Sequence, residues 1–121
     1  MEENVKNSLL NSISQDQEIL KDPIVAFFSE KIKKILSKNL TALVLFGSRA
    51  RGDNKIHSDY DFLILVNKKD HETKDKIIDI EVEVLDQFEK LTSSLVWEDK
   101  DWELKKKFPI GMNILKEGIL L

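Results

Sequence analysis

Two groups of residues within positions 46–66, FGSRARGDNKIHSDYDFLILV, have the types and spacing for chemistry. The first is Gly47-Ser48, which ends an apolar run. Glycine lets the backbone approach an anion closely, and the serine hydroxyl adds a donor. If a short helix opens there, its first N–H groups point at a phosphate. Arg49 and Arg51 add positive charge, and a guanidinium matches phosphate oxygens in pairs.

The second group is Asp59 and Asp61, at positions i and i+2. In a strand, such residues project from one face. Two adjacent carboxylates repel each other unless a cation sits between them. Mg²⁺ fits, because it takes oxygen ligands and is usually held by one or two carboxylates plus substrate phosphates. One turn would then hold a triphosphate, and the next strand end would hold the bridging metal. That is the equipment of phosphoryl or nucleotidyl transfer.

Other features of the segment have simpler readings. Arg51-Gly52-Asp53 spells a cell-adhesion tripeptide by coincidence, with Gly52 shaping a loop. His57 is a loop histidine, since no second histidine or cysteine lies at ligand spacing.

The elements that must position these groups follow from periodicity. Val5, Leu9, Ile13 and Leu20 fall at roughly helical spacing, so residues 1–22 form an N-terminal helical arm. Asp22 and Pro23 open the next helix, as N-cap and first helical residue. Its apolar face is Ile24, Phe27, Phe28, Ile32, Ile35 and Leu36. TALVLF (41–46) and YDFLILV (60–66) are short apolar runs that read as buried strands. Residues 77–91 fit two periods, strand alternation and a helical face, and the length favours a helix over about 72–91. SLVW (94–97) is then a third strand, followed by a short charged helix containing Trp102. Pro109 opens a last helix with Gly118 at its C-cap, and an apolar tail follows. The sum is a small α/β (α+β) protein: a mixed sheet of three to four strands with flanking helices.

The 121-residue length fits one domain, placed at 23–121 after the arm. A net charge of −3 argues against stable nucleic-acid binding by overall charge. The absence of cysteine excludes a disulfide framework and a thiolate metal site. The N-terminus lacks a signal peptide pattern, and no apolar run is long enough to span a bilayer. A cytoplasmic protein without membrane attachment is the expectation.

The segment 46–66 resembles the signature of the nucleotidyltransferase superfamily that includes DNA polymerase beta. It is most similar to the small minimal nucleotidyltransferases, whose core reads Gly-Ser-x-Ala-Arg-Gly, about six residues, then Ser-Asp-x-Asp. Gly47, Ser48, Ala50, Arg51, Gly52, Ser58, Asp59 and Asp61 match. The motif spans about a fifth of the chain, and an Ile-Leu-Lys-Glu-Gly ending at 114–118 also occurs in some members. The resemblance implies a polymerase beta-like fold, nucleoside triphosphate binding, two Mg²⁺ ions and transfer of a nucleoside monophosphate to a hydroxyl, with AMP as the candidate group and the base left open. Carried over, Gly47 and Ser48 would hold the β- and γ-phosphates, with Arg49, Arg51 and Ser58 among the nucleotide-binding residues. Asp59 and Asp61 would be the catalytic metal ligands.

Active members add a third carboxylate on a later strand. Its expected position falls near Ser93 or Ser94, with Glu98 or Asp99 just beyond; a strand over 77–91 would offer Glu81 or Glu83 instead. The acceptor would be a partner protein or small molecule. The alternative is a weak or inactive nucleotide-binding module, the antitoxin partner of a helical HEPN-type toxin. A chain of this length also suggests a partner in trans or a homodimer. The apolar stripe of residues 5–20, Trp97 and Trp102 are either contact surfaces or core.

Overall fold

The computed structural model of the chain describes residues 2–121, with side chains from Val5 onward. Two apolar runs form its central strands, β1 (Leu40–Phe46) and β2 (Tyr60–Val66), paired antiparallel. Two outer strands flank them, β3 (Thr92–Glu98) and β4 (Ile119–Leu120), in the order β3-β2-β1-β4. β4 is antiparallel to β1 and β3 is parallel to β2. A parallel pair needs a long crossover. Here the crossover is α4 (His71–Phe88), which joins β2 to β3.

Both faces of the sheet are covered, which is why β1 and β2 are almost continuously apolar. On one face Leu43, Leu45, Phe62 and Ile64 pack under α4 and α2 (Pro23–Leu36). Phe28 of α2 stacks on Phe62 with ring centroids 4.1 Å apart. On the other face Val44, Phe46, Leu63 and Leu65 meet α1 (Glu2–Ser12), α5 (Asp99–Lys105) and α6 (Pro109–Glu117). Strand alternation therefore sends Asp61 to the α5/α6 side, and Phe62 to the other.

The ambiguous segment is helical. Ile77, Ile80 and Val84 are buried, whereas Ile78 and Val82 are exposed, which is helical spacing. Asp70 starts α4 by accepting the Thr73 amide at 2.9 Å. At α2, Asp22 accepts the Ile24 amide at 2.9 Å, and Pro23 follows it.

Of the candidate contact residues, Val5, Leu9, Ile13 and Trp102 are core, with Trp102 only 1% exposed. Leu20 is exposed and Trp97 is half-buried against Trp102, at a centroid distance of 6.1 Å. The apolar tail docks as β4, and its Leu120 amide donates to Ser14 O at 2.8 Å. This ties the segment after α1 to the sheet. Among the described residues, no helix is long and apolar enough to cross a membrane.

Candidate active site

β1 ends at Phe46, and Gly47 turns the chain at φ +78° into α3 (Ser48–Arg51). The Ala50 and Arg51 amides return to Gly47 O, both at 3.0 Å. The first amides of a helical turn have no partner within it. Gly52, at φ +83°, closes the turn.

β2 brings Asp61 to the same place, because Phe46 and Asp61 are partners in the β1–β2 register. A Cβ on Gly47 would run into Asp61 Oδ2. Glycine is thus required twice at position 47, for its φ and for room. Asp59 lies just before the strand and is exposed. The Asp61 carboxyl is pushed above its ordinary range, first by burial and then by repulsion from Asp59 and Glu117, against the pull of Arg51.

Both arginines are engaged within the turn. Arg49 donates from Nε and Nη2 to Ser58 O at 3.2 and 2.9 Å, and lies 4.4 Å over the Tyr60 ring. Ser58 Oγ accepts the Lys55 amide at 2.9 Å, so Ser58 shapes the loop before Asp59. Arg51 donates from Nε to Asp53 Oδ2 at 3.1 Å and from Nη1 to Glu117 Oε2 at 2.8 Å. His57 is exposed in the same loop.

Glu117 is the residue sequence reasoning missed. It ends α6, and its Oε1 accepts the Gly47 amide at 3.0 Å. Its only advance signal was membership of the Ile-Leu-Lys-Glu-Gly ending, which says nothing about what it touches.

The position opposite Asp61 is also defined. Across the parallel β2–β3 pair, Asp61 is in register with Ser93, and Ser93 is exposed. The other candidate carboxylates stand elsewhere. Glu98 pairs with Val66, five residues further along β3, or about 16 Å at strand rise. There it accepts the Lys69 amide at 2.9 Å, so the expectation that it joins the aspartates is corrected. Asp99 accepts from Thr41 Oγ1 at 2.7 Å at that same far end. Glu81 accepts from Ser94 Oγ at 3.0 Å on the α4 face of the sheet, and Glu83 is exposed on α4 beside Lys31. Strand alternation separates Ser94 from Ser93, and with it Glu81 from Asp61.

Among the described residues no three His, Cys, Asp or Glu side chains are grouped to hold a metal ion. What is present is a two-carboxylate, all-oxygen donor pair whose mutual repulsion a cation would relieve. This suits Mg²⁺, which commonly takes its remaining ligands from substrate phosphates and water. A groove of about 440 Å³ lined by Lys6, Lys33, Leu43 and Leu121 lies toward the other end of β1, away from this constellation.

The family model described as "Polymerase beta, Nucleotidyltransferase" matches residues 30–121. Among solved structures, a presumed nucleotidyltransferase from Sulfolobus solfataricus is similar at 17% identity and a TM-score of 0.49. The match covers 84% of this chain and 85% of that one. A comparison with curated proteins gave no match. The sheet and the six α-helices of the described residues have the polymerase beta-like nucleotidyltransferase architecture. The family match runs from α2 to the chain's last residue and takes in the glycine turn, both aspartates and Glu117: the chain belongs to the polymerase beta-type nucleotidyltransferase family.

Proposed function

We propose that the protein is a minimal nucleotidyltransferase that moves a nucleoside monophosphate, with AMP the expected group, from a nucleoside triphosphate to a hydroxyl. The acceptor is a partner protein or a small molecule. The observation that carries this reading is the close approach of Asp61 to Gly47, which sets the phosphate turn directly against a half-buried carboxylate. In this reading the Gly47–Ser48 turn receives the β- and γ-phosphates, and the Arg49 charge lies beside them. Asp59 and Asp61 are the residues that would hold Mg²⁺, two ions in the full reading, which when bound stabilise charge on the attacking and leaving oxygens. Asp61, half-buried at the strand end, fixes where the α-phosphate is presented to the incoming hydroxyl.

A second reading is favoured by Ser93. The residue in register with Asp61 carries a hydroxyl instead of a carboxylate, and a serine is a weak acceptor for the incoming hydroxyl's proton. The protein would then bind nucleotide with weak or no transfer, and act as the antitoxin partner of a HEPN-type helical protein.

The test is incubation with labelled nucleoside triphosphate, Mg²⁺ and candidate acceptors, beside an Asp59→Ala, Asp61→Ala double variant. Label transfer by the wild type alone supports the enzyme. Transfer that persists in the variant removes the assigned site. Nucleotide binding without transfer favours the second reading.

A further inference from the structure

The two arginines of the turn differ in what neutralises them. Arg49 rests on backbone carbonyls and an aromatic ring, and among the described residues no carboxylate is in ion-pair range of it. Arg51 is held by two carboxylates at once, Asp53 and Glu117. Glu117 is the better seated of these, with its side chain 17% exposed against 62% for Asp53.

The Glu117 carboxylate also takes the Gly47 amide. One oxygen is on a backbone N–H and the other on a guanidinium, which is how two oxygens of a phosphate are commonly held. Its backbone is fixed from behind. The Gly118 amide donates to Ile114 O at 2.8 Å, and a Cβ on Gly118 would strike that same carbonyl. Beyond it, Ile119 is in register with Leu45 in the sheet. So the carboxylate is delivered to the turn by a packed element, and it adds a negative charge that Asp61 feels.

We propose that Glu117 is an internal stand-in for phosphate. It occupies the Gly47 amide and Arg51 until a triphosphate exchanges for it, and it thereby sets the affinity of the phosphate turn. The inference rests on the reading of that turn as a nucleoside triphosphate site. It makes Glu117 a positioning residue that acts through Arg51, and it separates from a purely bracing role by sign. A brace, once removed, lowers both stability and affinity. A stand-in, once removed, lowers stability and raises affinity.

The experiment uses the full chain with Glu117→Gln and Glu117→Asp. Thermal unfolding without ligand is measured beside calorimetric titration with Mg²⁺–ATP and with inorganic tripolyphosphate. Glu117→Gln is expected to melt lower than wild type yet bind both ligands about tenfold tighter, the scale of one charge-assisted hydrogen bond no longer exchanged. Glu117→Asp keeps the charge but not the reach, and is expected to fall between the two. It carries the test if the glutamine variant does not fold. Adding Arg51→Ala is expected to erase the difference. Wild-type binding with no gain in the variants overturns the inference and leaves the nucleotide site standing, as does a gain seen with ATP but not with tripolyphosphate. Failure of wild type and variants alike to bind either ligand overturns the nucleotide site itself, and the inference with it.

Discussion

Ser93 stands in register with Asp61 across the parallel β2–β3 pair, on the same face and one strand spacing away. This is where a carboxylate would complete a set of three with Asp59 and Asp61. Ser93→Asp is therefore expected to raise the rate of nucleotidyl transfer by about 10²-fold, the lower range for a placed proton acceptor. Ser93 is exposed, so the longer side chain has room. Label transfer under saturating Mg²⁺ checks this, with Ser93→Ala as the unchanged control. A Ser93→Asp protein no faster than wild type removes the argument from register.

Asp61→Asn is expected to separate stability from activity. The folded protein raises the Asp61 carboxyl above its ordinary value of 3.8, so between those two values it binds more proton than the unfolded chain. Its stabilising contribution is full below 3.8 and is lost as pH rises through the folded-state value. At pH 7 the wild type therefore carries an ionised, half-buried carboxylate that the asparagine lacks. The variant should melt higher at neutral pH, with the gap closing as pH falls through that window, while transfer is abolished. Mg²⁺ should raise the melting temperature of wild type more than that of the variant. A variant that melts lower at pH 7 would contradict the account.

Gly47→Ala and Gly52→Ala should part company. Both glycines have positive φ, +78° and +83°. Gly47 pairs its φ with a ψ of −161°, a region essentially reserved for glycine. Its alanine variant should cost about 1–3 kcal/mol in urea unfolding and displace Asp61, which removes transfer. At Gly52 a Cβ meets nothing within 4 Å. Its variant should cost about 1–2 kcal/mol from the left-handed backbone alone and keep its transfer activity.

Tyr60→Phe tests the support beneath the turn. Tyr60 donates to Asp22 Oδ2 at 2.7 Å while its ring carries Arg49. Burial, followed by Asp22, pushes its phenol up to about 12. Removing the hydroxyl should cost about 1.5–3 kcal/mol, as for a hydrogen bond to a charged acceptor. The ring remains under Arg49, so the Michaelis constant for nucleotide should not change. A rise in that constant with unchanged stability would place the hydroxyl in the site instead.

Much of the frame is legible in the sequence because local physics decides it. The apolar runs at 41–46 and 60–66 are short, rich in strand formers and bounded by polar turns, and they are β1 and β2. Asp22-Pro23 marks the start of α2 as expected. Residues 77–91 satisfied two periods at once, and a single segment cannot choose between them. The sheet chose, by burying Ile77, Ile80 and Val84 and leaving Ile78 and Val82 outside.

The glycine that stops the first apolar run and the Asp-x-Asp that opens the second are likewise legible, because each is local. What stands beside them is not local. Register between β2 and β3 put Ser93 next to Asp61 and sent Glu98 to the other end of the strand, where sequence proximity to Ser93 counts for nothing. The C-terminal half of α6 carried Glu117 back to Gly47, 70 residues away in the chain. By itself the sequence determined the glycine turn after β1 and the aspartates at the start of β2, since turn geometry and strand formation act over a few residues. Only the tertiary structure decided what neutralises Arg51 and what faces Asp61, because those depend on the packing of distant elements against one sheet.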